Sequence, residues 1–200
     1  ELWELNLQGK AIRHLVPHVE PVGYQVWISN DSLLLFVLGE PHTLQKVIVT
    51  EQTGEQVVEN AIEKADEANV IDSYIGASLY RYMQSPWYLY SKNYTAIPSE
   101  QVSKDPVLSQ IEQGNWLYAF NAQTGKIRRV VELPENSEYF ALTPSGYVIT
   151  SDGEQILTQA IINDEDKLKP FDKWRAIKIK ETHCSTGVSR MAVSGDGSMI

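Results

Sequence analysis

The chain has 200 residues, 42% of them hydrophobic, enough to build a core. Seventeen Lys and Arg stand against 26 Asp and Glu, a net charge of -9 that repels a phosphate backbone unless the cations gather on one face. A single cysteine, Cys184, excludes an intrachain disulfide among these residues, and no apolar run approaches the roughly 20 residues of a membrane-spanning helix.

In chain order, stretches alternating between apolar and polar residues and bounded by Gly, Asn and Asp predict half-buried antiparallel strands throughout. "ELWELNLQGKAIRHLV" (1–16) reads as two strands around a turn at Gly9, the outer pair of a four-stranded sheet. Residues 19–62 read as a complete sheet, with a hairpin turn at Asn30-Asp31 and a second turn at Gly54. A third sheet is assigned to 63–133, interrupted by insertions at 63–77 and 95–114. The first insertion is acidic and has room for a short surface helix. Within the second, Asp105 as N-cap, Pro106 in the first helical position and Gly114 as terminator predict one or two helical turns. A fourth sheet spans 137–180, with its hairpin turn at Ser145-Gly146, and residues 187–200 begin a fifth around Asp196-Gly197. The start at Glu1 and the close at Ile200 within an apolar segment are read as the ends of a piece of a longer protein.

Units with four short strands and a period in the forties imply an all-β fold, a β-propeller of four-stranded antiparallel blades. About four blades of a six- or seven-bladed ring are covered, the remainder coming from missing sequence or a second chain. The turns "LNLQGK", "NAQTGK", "TPSG" and "SGDG" resemble the repeats of the TolB-like, WD-like β-propeller family, in which a "D-x-x-T-G-K/E" turn alternates with "S-P-D-G". This chain departs from that pattern at Ser145, at Gly195 and in the second unit, which has "SNDS". The resemblance implies an exported bacterial protein, periplasmic or otherwise extracytoplasmic, and a role in binding or scaffolding.

Chemistry is harder to find. His14 and His18 would lie about 13 Å apart on an extended strand, too far for one ion. Asp164-Glu165-Asp166 lacks the spacing and glycine of a calcium loop. No G-x-S-x-G elbow is present, and His183 next to Cys184 would point to the opposite face of a strand. "SGDGSM" has no lysine and precedes a strand rather than a helix. No catalytic residue, metal site or cofactor is therefore expected. Asn30-Asp31-Ser32 and Asn93-Tyr94-Thr95 match a glycosylation triplet that is common by chance.

Tyr74, Tyr80, Tyr82, Trp87, Tyr88, Tyr90 and Tyr94 crowd one stretch, where packing between sheets is favoured over a ligand platform. Aligning the hairpin turns places Tyr24, Tyr139 and Arg190 at equivalent positions of first strands, with Gln25 beside Tyr24 and with Tyr80 and Arg81 nearby. Together they would line the mouth of a central channel and bind a protein, peptide or glycan. The competing expectation is the propeller of a serine peptidase of prolyl-oligopeptidase type, with its hydrolase domain beyond this chain. Nucleic acid is not an expected partner.

Overall fold

A computed structural model describes residues 2–17, 19–49, 70–94, 114–137, 139–164, 166–177 and 192–194. The regular elements among them are all strands, and the chain divides into two compact units, Glu1–Ile75 and Gly76–Ile200. The Gly54 turn, the helical turns expected at 104–114, the Asp196-Gly197 turn, His18, His183, Cys184 and Arg190 lie outside the described residues.

In the first unit, β1 (Trp3–Leu5) and β2 (Ala11–His14) form a two-stranded antiparallel sheet. Asn6 closes its turn: the side-chain Oδ1 accepts the backbone N–H groups of Gln8 and Lys10, and Gly9 takes the left-handed conformation at φ +78°. A second sheet follows as a meander of β3 (Val22–Ser29), β4 (Ser32–Val37), β5 (Thr43–Ile48) and β6 (Val70–Ser73). Its fourth strand lies inside the stretch read from the sequence as an insertion at 63–77. The turn at Asn30-Asp31 is the hairpin between β3 and β4, where Ser29 Oγ donates to Asp31 Oδ1.

β4, "SLLLFV", is buried along its whole length because it is a central strand with both faces covered. Leu33, Leu35 and Val37 join Leu15, Val16, Val19, Val47 and Val49 in one core. Leu34 and Phe36 leave the opposite face and are buried as well. Each such leucine contributes about 1.5–3 kcal/mol relative to exposure.

The second unit holds two further meanders. One is β7 (Ile75–Arg81), β8 (Trp87–Asn93), β9 (Asn115–Asn121) and β10 (Ile127–Glu132). The other is β11 (Phe140–Leu142), β12 (Tyr147–Ser151), β13 (Ile156–Asp164) and β14 (Lys167–Pro170), with β15 (Arg175–Ala176) pairing the early part of β13. Its fourth position is thus one edge broken by a bulge, in which Asp172 Oδ1 accepts the Ala160 N–H.

The "NAQTGK" turn between β9 and β10 repeats the chemistry of the Asn6 turn. Asn121 Oδ1 accepts the N–H groups of Gln123 and Thr124, and Gly125 sits at φ +70°. The repeated sequence thus has a local cause, an Asn side chain standing in for a backbone turn ahead of a glycine that can reverse the chain.

The two meanders stack face to face. Trp87, Leu89, Leu117 and Ala119 from one meet Phe140, Val148, Ile161 and Leu168 from the other. First strand lies by first strand, since the Phe140 N–H donates to Ser78 Oγ at 3.1 Å and the rings of Tyr80 and Phe140 are 5.3 Å apart. Fourth lies by fourth, with β10 beside β14 and Trp174 Nε1 donating to the Glu132 carbonyl. The Tyr82 hydroxyl, just past β7, donates to the buried Ile161 carbonyl at 2.6 Å.

Candidate functional site

The expected mouth residues fall in different surroundings. In the first unit, Tyr24 is 38% exposed and packs its ring against Phe36, with centroids 5.9 Å apart. Phe36 in turn meets the edge of His42 at 5.2 Å, and His42 Nδ1 accepts the Gly39 N–H. Gly23 permits this arrangement, because a Cβ there would come within 2.7 Å of Phe36 Cδ1. Gln25 pairs with Leu35, one position along from the Tyr24–Phe36 pair, so Tyr24 and Gln25 project from opposite faces and do not converge.

In the second unit, Tyr139 immediately precedes β11, and its carbonyl accepts the Thr150 hydroxyl. Tyr80 is half-buried against Phe140. Tyr80 and Arg81 are the last two residues of β7, whereas Tyr24 is near the start of β3 and Tyr139 just ahead of β11. The expected equivalence of these positions is therefore corrected: Tyr80 and Arg81 sit at the turn end of their strand. Arg81 Nε donates to the Ser85 carbonyl across that turn, and its guanidinium lies 5.9 Å from the Tyr88 ring centroid.

Of the crowded aromatics, Tyr82, Trp87, Tyr88, Tyr90 and Tyr94 are buried, as packing residues would be. Burial raises the Tyr88 phenol above its ordinary pKa, partly offset by the charge of Arg81. A neighbouring cluster was not foreseen. Lys92 is buried, with its ammonium 5.4 Å from the ring centroids of both Tyr94 and Tyr118, whose hydroxyls are 2.7 Å apart. Arg129 covers the Trp116 ring at 4.2 Å. The signal available was the period-two row Tyr88, Tyr90, Lys92 and Tyr94, whose register opposite Phe120, Tyr118 and Trp116 becomes visible only once β8 and β9 are paired.

Ionisable groups elsewhere serve local structure. Arg13 pairs with Glu4, and His14 stacks on Trp3 at 4.8 Å. Asp152 accepts the N–H groups of Gln155 and Glu154, which hold its carboxyl below the usual range. Lys169 does the same for Asp164 through a hydrogen bond and its charge. Among the described residues no group of three His, Cys, Asp or Glu side chains is placed to hold a metal ion, and no helix is long and apolar enough to cross a membrane.

Tyr24 offers a partly exposed aromatic ring, and Tyr80 and Tyr139 are half-buried. No known family model, curated protein or solved structure matches the chain.

Proposed function

We propose that this chain is a segment of a β-propeller, exported in a bacterium, that binds or scaffolds a protein, peptide or glycan without catalysing a reaction. One observation carries the reading: the two meanders of the second unit stack like strand on like strand, β7 against β11 and β10 against β14. Consecutive propeller blades stack in this order, whereas a Greek-key sandwich interleaves strands from distant parts of the chain. Tyr24 and Tyr139, near the beginnings of first strands, would then border the channel mouth. The second reading, a peptidase propeller, keeps the same stack and adds a hydrolase domain in the intact protein.

Binding of the full-length protein to peptide and glycan arrays, followed by titration of the best ligand, tests this reading. Tyr24→Ala and Tyr139→Ala should each weaken that ligand about tenfold, roughly 1.4 kcal/mol. Unchanged affinity in both variants would remove the mouth from the function, and turnover of a peptide substrate would favour the peptidase reading.

A further inference from the structure

The outermost strand of the last sheet carries a pattern that its fold does not require. Along "KLKPFDKWR", Lys167, Lys169, Pro170, Phe171, Lys173 and Arg175 are exposed. Leu168, Asp172 and Trp174 serve the interior. Leu168 is in the core, Asp172 accepts the Ala160 N–H, and the Trp174 indole donates to the Glu132 carbonyl. Phe171 is 71% exposed at the centre of the row.

β10 runs beside β14 and adds Lys126, Arg128 and Arg129. β10, the β14 edge and the residues beside them thus gather seven of the chain's 17 Lys and Arg, against the carboxylates Glu132, Asp164, Asp166 and Asp172 among the described residues, in a protein of net charge -9. Two of the carboxylates are engaged within the row: Asp164 pairs with Lys169, and Asp172 with Arg175. Lys167 and Lys173 form no ion pair among the described residues.

Lysines on an edge strand also prevent edge-to-edge pairing. That role calls for charge alone, and an exposed phenylalanine at the middle of the row opposes it. Pro170 and the bulge interrupt the backbone donors of this edge, so recognition falls to side chains rather than to an added strand.

We infer that this row is a docking surface for an acidic protein segment in extended conformation, with one aromatic or aliphatic side chain laid on Phe171. Charge complementarity selects an acidic occupant. A short peptide answers the local row, whereas a long polyanion would also meet the negative field of the rest of the molecule. The surface uses neither Tyr24 nor Tyr139, so it stands or falls independently of the channel mouth.

The test is fluorescence anisotropy of the full chain with a labelled twelve-residue probe of alternating glutamate and serine carrying one central leucine. Lys167→Glu combined with Lys173→Glu should weaken binding at least about tenfold, and Phe171→Ser about threefold or more. Raising the salt from 0.05 to 0.5 M should weaken the wild-type complex. Lys10→Glu, the same charge reversal in the β1–β2 turn, should leave affinity unchanged. Equal urea midpoints would show that the exposed substitutions leave folding intact. Failure of the probe to bind, equal losses in the Lys10 control, or tighter binding to heparin or to vesicles of anionic lipid than to the peptide would each overturn the assignment.

Discussion

Trp87→Ala is expected to cost about 3–5 kcal/mol, the largest single loss in the second unit. Trp87 is 1% exposed, begins β8, and lies in the core where the two meanders meet, alongside Leu89, Phe140 and Val148. Removing the indole opens a cavity that neither sheet can close without breaking its own ladder, because β8 is central and bonded on both edges. Urea unfolding followed by far-ultraviolet circular dichroism measures the cost. Trp87→Phe should lose much less, since it retains most of the apolar contact and removes an indole N–H that has no hydrogen-bond partner among the described residues. Equal losses in the two variants would show that the inter-sheet core does not depend on filling this position.

Tyr82→Phe isolates the polar tie between the meanders. The hydroxyl is buried and donates to the Ile161 carbonyl, and its loss leaves that acceptor enclosed without this partner, at a cost of about 1–3 kcal/mol. The substitution has a pH signature. Burial raises the phenol pKa above 10 in the folded state, so the protonated hydroxyl persists there while the unfolded chain begins to ionise. Its stabilisation is fully present below pH 10 and is lost as pH rises through the raised folded value. The stability gap between wild type and Tyr82→Phe should therefore stay level from pH 6 to 9 and narrow above pH 10. A gap independent of pH up to 11 would contradict the raised phenol pKa. Gly146 belongs to the same contact, because a Cβ there would meet the Tyr82 hydroxyl oxygen at 3.0 Å.

How much of this was legible in the sequence depended on whether a turn carries its own chemistry. Asn6-Gly9 and Asn121-Gly125 announce themselves, since an Asn acceptor and a left-handed glycine are local requirements. The hairpin after β7 has no such mark. Its left-handed residue is Met83, at φ 50°, and its turn is tied by Arg81 Nε to the Ser85 carbonyl and by Ser85 Oγ to the Tyr82 carbonyl. With no Asn or Gly in that turn, the sequence offers no mark for the strand end at which Tyr80 and Arg81 sit. β6 was hidden for another reason: "VIDS" is four residues long and adjoins an acidic stretch, and only pairing with β5 makes it a strand. The basic row forms no contiguous charge run because its cations are interspersed with other residues, and they join Lys126–Arg129 only when β10 and β14 become neighbours. The Lys92 cluster likewise depends on cross-strand register, which periodicity alone does not supply.

The central proposal is that the two stacked meanders of the second unit are successive blades of one ring. A crystal structure of the intact protein tests it most directly. In that structure β7 and β11, the first strands of the two stacked meanders, should run side by side with the first strands of further sheets around a common axis. Meanders closed on each other as a sandwich, with no further sheet continuing the stack, would contradict it.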